Sequence, residues 1–339
     1  MATFTPQCAL VTGGAGFIGS HFVRHTLATQ PRTRIVTLDK LTYSGSLERL
    51  NNLPNGERHT FVRGDIGDAA LVERLLRDHG VDAIIHFAAE THVDRSISGP
   101  APFIQTNIVG TFTLLEAARG YWLTEKKYQP DHCRYHQVST DEVFGSLHDN
   151  DPPFVETTPY HPNSPYSASK AAADHLVWSY HHTFGLPVTF SHCSNNYGPS
   201  QQREAFIPTV IRAALAQRPI PLYGDGGNRR DWLFVEDHCH GIDRVIQQGR
   251  PGERYNFGGG RDPTNLEIVQ LLCAILDRLR PIQGSHTRLI TFVSDRPGHD
   301  WRYAIHFGKA QAELAWQPAV SLITGLEKTV QWHLENPPS

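Results

Sequence analysis

Cys8-Ala9-Leu10-Val11-Thr12-Gly13-Gly14-Ala15-Gly16-Phe17-Ile18-Gly19 decides the fold of this chain. An uncharged run from Cys8 to Thr12 reads as a buried strand. Three glycines follow at Gly13, Gly16 and Gly19, and an amphipathic stretch continues from Phe17 to Leu27. Strand, glycine turn and helix in that order carry main-chain N–H groups and the positive end of a helix to a strand end, where they accept a pyrophosphate. Gly13 permits the tight turn, Gly16 lets the main chain approach the phosphates, and Gly19 allows close helix–strand packing.

A second apolar run, from Arg34 to Leu38, ends in Asp39, twenty residues after Gly19. A carboxylate there accepts hydrogen bonds from a ribose 2′-hydroxyl and repels a 2′-phosphate, so the expected cofactor is NAD rather than NADP. Lys40 works in the opposite sense. Two further strand ends belong to the same crevice. Thr60 to Arg63 leads to Asp65-Ile66, suited to an adenine edge, and Ala83 to Phe87 leads to Ala88-Ala89-Glu90, whose small residues let the main chain approach a cofactor.

Outward from this unit, strands are predicted to end near residues 12, 38, 63, 87, 138 and 193, and helices to begin near Gly16, Ala69, Pro102 and Tyr166. Alternating strands and helices make a parallel sheet covered on both faces. The predicted fold class is α/β, a Rossmann-type doubly wound parallel sheet with a smaller mixed α/β C-terminal substrate lobe. Residues 1–193 form the dinucleotide-binding part, with a returning segment near 235–258, and residues 194–339 are mainly the substrate lobe. Pro and Gly become frequent after residue 194. A helix is expected over Val235 to Gln248 and a last one over Leu322 to Leu334. The stretches Pro102 to Arg119 and Ser167 to Thr183 carry apolar residues on more than one face, which fits a dimer interface or deep burial equally well.

The 339 residues are 39% hydrophobic and 19% charged with a net charge of −3, which gives no electrostatic case for nucleic acid or an anionic membrane as partner. No apolar run approaches the roughly 20 residues that span a bilayer, and no signal peptide is visible, so a cytoplasmic setting is expected. The five cysteines form no C-x-x-C pair and read as buried, reduced thiols. Among 20 histidines, the pairs His181-His182 and His238-x-His240 lack a third ligand at zinc-site spacing, so no metal is expected.

The chemistry is carried by Ser139-Thr140-Asp141-Glu142-Val143-Phe144-Gly145 and Tyr166-Ser167-Ala168-Ser169-Lys170. Tyr166 and Lys170, at i and i+4, project from one helix face, where an ammonium would stabilise a phenolate acting as base. A Tyr/Lys pair serves alcohol oxidation. Two carboxyl groups at the adjacent strand end point to further acid/base chemistry on the oxidised product.

With these motifs assembled, the chain resembles the extended short-chain dehydrogenase/reductase superfamily and, within it, the dTDP-glucose 4,6-dehydratase family. The resemblance runs from Val11 to about Trp332. It is carried further by Ala88-Ala89-Glu90-Thr91-His92-Val93-Asp94-Arg95-Ser96, Ser194-Asn195-Asn196-Tyr197-Gly198-Pro199, Arg230-Asp231-Trp232 and Asp295-Arg296-Pro297-Gly298-His299-Asp300. It implies that Tyr166, aided by Lys170, takes the proton of a sugar 4-hydroxyl while hydride passes to NAD. Thr140 would bond that hydroxyl, Glu142 would take the C5 proton, and Asp141 would protonate the leaving 6-hydroxyl. The resemblance also implies a nucleotide-diphosphate sugar substrate and a homodimer. Cofactor contacts would come from Gly13, Gly16, Phe17, Ile18, Gly19, Asp39, Lys40, Leu41, Thr42, Asp65, Ile66, Phe87, Ala88, Ala89, Glu90, Thr106, Tyr166, Lys170 and Asn196. Substrate contacts would come from Thr91, Thr140, Asn195, Glu204, Tyr223, Arg230, Asn265, Arg296 and His299. Arg230 and Arg296 suit a diphosphate.

Three positions depart from the family pattern: Ala205 stands where a Lys is usual, Trp301 where an Arg is usual, and Phe144 where a Tyr is usual. The first two bear on which nucleotide and sugar are bound, UDP-linked and N-acetylated sugars being the alternatives. A nucleotide-sugar 4-epimerase would use the same cofactor and Tyr/Lys pair, but has no use for an acid/base pair at C5 and C6. A catalytically silent NAD-binding protein would not need the tyrosine, the lysine and both acids.

Overall fold

The strands of the main sheet are apolar almost throughout because both of their faces are covered. In the computed structural model, which describes residues 3–295 and 298–336, the first half of the chain runs β1 (Cys8–Thr12), α1 (Phe17–Thr29), β2 (Arg34–Asp39), β3 (His59–Arg63), α2 (Ala69–His79) and β4 (Ala83–His86). It continues through α3 (Val93–Ser98), α4 (Ala101–Phe103), α5 (Thr111–Ala118), β5 (Arg134–Thr140), α6 (Pro165–Phe184) and β6 (Val188–Cys193). Helical winding does not stop between α4 and α5 or at Ala118; it widens over Ile104–Gly110 and again over Arg119–Glu125. The expected helix from Pro102 to Arg119 therefore runs to Glu125.

The second half runs β7 (Asn195–Tyr197), α7 (Phe206–Leu215), β8 (Ile220–Tyr223), β9 (Arg229–Arg230), β10 (Trp232–Phe234), α8 (Val235–Gln248) and β11 (Arg254–Phe257). It closes with α9 (Asn265–Leu279), β12 (Ile290–Val293), β13 (Arg302–Tyr303), α10 (Gly308–Leu314) and α11 (Leu322–Glu335). Seven strands form one sheet in the order β11-β6-β5-β4-β1-β2-β3, with every neighbouring pair parallel. The chain leaves β1 toward β2 and β3, then crosses to the other side of β1 to form β4. The crevice at the carboxyl ends of β1 and β4 is thus the topological switch point where ligands bind in such sheets.

The expected return to the main sheet occurs: α8 leads into β11, whose register sets Arg254 opposite Phe190 and Phe257 opposite Cys193. One face of the sheet packs Leu10, Leu76, Leu114, Trp122 and Tyr135 under α2, α5 and α6. The other packs Val11, Phe22, Ile35, Ile85 and Ile242 under α1 and α8. A separate core of Ile211, Trp232, Leu272 and Leu326 lies in the C-terminal half. Each fully buried aliphatic or aromatic side chain stabilises the fold by about 1.5–3 kcal/mol. All five cysteines are free and buried. Among the described residues, no helix is long and apolar enough to cross a membrane, and no group of three or more His, Cys, Asp or Glu is placed to hold a metal ion.

The candidate active site

Two requirements shape the glycine turn. Gly13 has φ +71°, and a Cβ there would come within 2.6 Å of the Ala88 main-chain nitrogen at the end of β4. A Cβ on Gly19 would overlap the Gly13 carbonyl oxygen. The first turn of α1 has no side-chain cap and no acidic residue, so its N–H groups are left to an anion. Asp39 is held by two main-chain donors, the Ala15 N–H at 3.0 Å and the Leu41 N–H at 2.8 Å. Lys40 pairs with Asp65 at 2.6 Å, which turns its charge toward a carboxylate and weakens the case for a 2′-phosphate. This cradle fits a dinucleotide with an unmodified ribose.

Gly13→Ala is expected to cost about 1–3 kcal/mol through strain at positive φ and to crowd Ala88. Purified Gly13→Ala should carry little NAD and melt earlier than the parent. A variant with full NAD content and an unchanged melt would remove the requirement for glycine there.

β5 leads directly to Thr140, Asp141 and Glu142. It runs to Thr140, two residues past its expected end near Val138, and the carboxyls follow in a single tight turn, Asp141–Phe144. Thr140 Oγ1 accepts the Glu142 N–H and donates to Asp141 Oδ1, each at 3.3 Å. α6 is well delimited, which fixes the phase of the face that carries Tyr166 and Lys170. Ser164 caps it by accepting the Ser167 N–H, Pro165 opens the first turn, and Gly185 at φ +73° ends it. Tyr166, Lys170 and Asp174, each four residues apart, are all buried. Lys170 Nζ donates to the Val138 carbonyl at 2.8 Å. Asp174 accepts from Ser139 Oγ at 2.6 Å and from Tyr160 Oη at 3.1 Å, with His192 Nε2 at 3.2 Å. Asn107 ties the loop after β4 to α6 by accepting the Glu90 N–H and donating to Ser169 Oγ.

Burial raises the Asp141 carboxyl well above the usual range, Glu142 and Asp231 add to this, and Arg230 opposes it. Asp141 therefore holds its proton more tightly than an ordinary carboxyl. Its Oδ2 is buried without a hydrogen-bond partner among the described residues. Burial also raises Tyr166, with Glu142, Cys193 and Asp141 adding and the Thr140 hydrogen bond opposing. The expected aid of Lys170 to a Tyr166 phenolate is opposed in this setting by burial and by the neighbouring Glu142, Cys193 and Asp141. Lys170 is lowered by burial, against which Asp174 acts as its buried counter-charge.

A single cleft of about 310 Å³ is lined by Thr140, Asp141, Glu142, Tyr166 and Lys170 together with the cofactor residues expected from sequence, apart from Leu41. Leu41 donates its N–H to Asp39. Of the expected substrate residues, Thr91 and Asn195 also line this cleft, and Asn195 Oδ1 is buried with no partner among the described residues. Five others do not line it. Glu204 is ion-paired with Arg95 at 3.3 Å. Tyr223, at the end of β8, lies edge-on to His299 at 6.0 Å between ring centroids. Arg230 donates to the carbonyls of Arg229, Trp301 and Asp300 and lies over the Tyr303 ring. Asn265 opens α9, its N–H bonded to the Asn228 carbonyl. Arg296 lies outside the described residues. These groups belong to the C-terminal half, which β-strand ends alone do not place.

Two of the three departures from the family pattern have local explanations. Trp301 Nε1 donates to Asp149 Oδ1 at 2.6 Å and its carbonyl holds Arg230. Phe144 fills an aromatic cluster with Phe154, Tyr160 and His192. Ala205 precedes α7 without supplying a cap. Sequence reading missed Ser44, Cys193, Ser194, Gln201 and Gln202, which also line the cleft. The end of β6 at Cys193 was a readable signal for two of these; the other three lie on loops.

The fold and the cleft define a dinucleotide-dependent enzyme of the extended short-chain dehydrogenase/reductase type. The family model described as GDP-mannose 4,6 dehydratase matches residues 10–329. The chain is 55% identical to a dTDP-glucose 4,6-dehydratase of Xanthomonas campestris pv. campestris over 96% of this chain and 93% of that protein. It superposes on the crystal structure of dTDP-glucose 4,6-dehydratase from Streptomyces venezuelae, which has NAD bound, with TM-score 0.87, 46% identity and 97% of each chain covered. A UDP-glucose 4-epimerase from Thermotoga maritima reaches TM-score 0.86 at 28% identity, covering 98% of this chain and all of that one. The chain belongs to the dTDP-glucose 4,6-dehydratase family.

Proposed function

We propose that the protein is an NAD-dependent hydro-lyase that converts dTDP-glucose to dTDP-4-keto-6-deoxyglucose. The observation that carries this reading is the buried Asp141, its carboxyl raised above the usual range, beside Glu142 in the cleft that holds Tyr166, Lys170 and the glycine turn. When bound, NAD supplies the acceptor and later the donor of a hydride, and brings positive charge into the cleft. Tyr166 takes the proton of the sugar 4-hydroxyl, which Thr140 orients. Lys170, with its charge kept by Asp174, stabilises the phenolate. Oxidation at C4 acidifies the C5 proton, which Glu142 removes as general base. Asp141 delivers its proton to the departing 6-hydroxyl, so that water leaves. Opposite demands on adjacent acids are met by unequal burial.

The C-terminal residues Glu204, Tyr223, Arg230, Asn265 and His299, together with Arg296, are taken as the nucleotide side of the substrate site, with residues 1–193 and the segment near 235–258 as the cofactor side. The exposed apolar side chains Ile104, Val109 and Phe112 and, on α6, Phe184 support a homodimer through this helix pair. The five free, buried thiols are in keeping with a cytoplasmic setting.

The shared architecture with a 4-epimerase means that the fold alone does not choose between reactions. The test is to incubate the protein with dTDP-glucose and, separately, UDP-glucose in D₂O and to follow both by NMR and mass spectrometry. The expected result is a 4-keto-6-deoxy product from dTDP-glucose with deuterium at C5. Epimer formed without loss of water would overturn the dehydratase reading, and preference for UDP-glucose would overturn the nucleotide assignment.

A further inference from the structure

Just before Thr140, α6 grips β5 at two consecutive residues. Lys170 Nζ donates to the Val138 carbonyl at 2.8 Å, and Asp174 Oδ2 accepts from Ser139 Oγ at 2.6 Å. Lys170 and Asp174, four residues apart, share one helix face. The same Asp174 oxygen meets Tyr160 Oη, from the loop before α6, at 3.1 Å and His192 Nε2, on β6, at 3.2 Å. Tyr160 Oη and His192 Nε2 are themselves 2.7 Å apart. Asp174 and His192 are fully buried.

A carboxylate only accepts, so the His192 proton that reaches Asp174 sits on Nε2. His192 Nδ1 is buried with no partner among the described residues. Phe144 packs on the Tyr160 and His192 rings, at 5.4 and 5.0 Å between centroids, and brings no polar atom. Three donors therefore converge on one carboxylate oxygen, which is how a negative charge is kept in a dry interior. Burial works against the Asp174 carboxylate, but His192, Lys170 and Ser139 outweigh it and hold the group below its usual range.

Resting on the roles given above to Tyr166 and Lys170, we propose that Tyr160 and His192 are positioning residues for the oxidation at C4: by holding the Asp174 carboxylate in place they keep the Lys170 ammonium at the Val138 carbonyl, on the helix face of Tyr166. Stripped of these donors, Asp174 would either take a proton or draw the ammonium to itself. Both withdraw positive charge from Tyr166, whose phenolate then forms only at higher pH. The other groups facing this set stay in place: Asp141, Glu142 and Cys193 act on Tyr166, and Cys193 and His86 of β4 face Lys170. Tyr135 of β5 faces Asp174, and Arg254 of β11 lies over the Tyr160 ring.

The experiment follows reduced nicotinamide formed in a single turnover of NAD-loaded enzyme with dTDP-glucose, as a function of pH. It compares the parent chain with Tyr160→Phe, His192→Leu, His192→Gln and Asp174→Asn. Asp174→Asn, which removes the charge, should move the low-pH limb of the oxidation rate up by about one unit. Tyr160→Phe and His192→Leu should move it the same way by less. His192→Gln sets an amide N–H where Nε2 stands and should restore the parent profile, which a merely structural role of the ring would not do. Tyr160→Phe loses one oxygen and keeps its ring, so it leaves the test decisive where another variant fails to fold. A limb unmoved in Tyr160→Phe and in every other folded variant overturns the proposal, and His192→Gln and His192→Leu behaving alike removes His192 from it. A parent chain that reduces no NAD on dTDP-glucose overturns instead the reaction on which the proposal rests.

Discussion

Tyr166→Phe is expected to lower kcat on the order of 10²- to 10⁴-fold, the usual contribution of a positioned general base, while NAD stays bound. The substitution removes one oxygen from a side chain that is 7% exposed and keeps the ring against Phe103, 6.4 Å away between centroids. The fold should therefore survive. Without the phenolate the 4-hydroxyl proton has no acceptor, so C4 is not oxidised and nothing acidifies C5. Two readouts should fall together: the transient absorbance of reduced nicotinamide, and deuterium incorporation at C5 in D₂O. A Tyr166→Phe enzyme with full activity would remove the tyrosine from the chemistry altogether.

Glu142→Gln should fail at a later step and by a similar factor. The amide matches the carboxylate in size but cannot take the C5 proton. Oxidation at C4 should still proceed, because Tyr166 and Lys170 are untouched. Reduced nicotinamide should then accumulate on the enzyme, with no deuterium at C5 and no dehydrated product. This pattern is opposite to that of Tyr166→Phe in one readout and identical in the other, so a non-specific disturbance of the cleft would not mimic both. Normal turnover by Glu142→Gln would move the C5 base elsewhere.

Much of the catalytic cleft was readable because its residues are contiguous in the chain. Thr140, Asp141 and Glu142 follow directly from one strand, and Tyr166 and Lys170 share one helix face, so local geometry places each set. Gly13, Asp39, Asp65 and Ala88 sit at carboxyl ends of successive strands, and a parallel sheet brings such ends to one edge. Helix α8 was foreseen over Val235–Gln248 and appears with those bounds, because its apolar period is strong and Gly249 follows it. The substrate side was harder. Tyr223, Arg230, Asn265 and His299 lie on short strands, turns and one helix start with no regular repeat, so their spacing along the chain carries little spatial information.

By itself the sequence determined that the chain would build a dinucleotide crevice, that Asp39 would favour NAD, and that a tyrosine, a lysine and two acids would meet there. Hydrophobic period, glycine spacing and strand-end position are local properties, and local properties are written in the chain. Only the tertiary structure decided the electrostatic state of those groups. The Asp141 carboxyl is raised because burial is added to the charge of Glu142 and of Asp231, which reaches it from ninety residues away. Desolvation and long-range Coulomb interaction depend on what surrounds a group in space, and no spacing in the sequence encodes that surrounding.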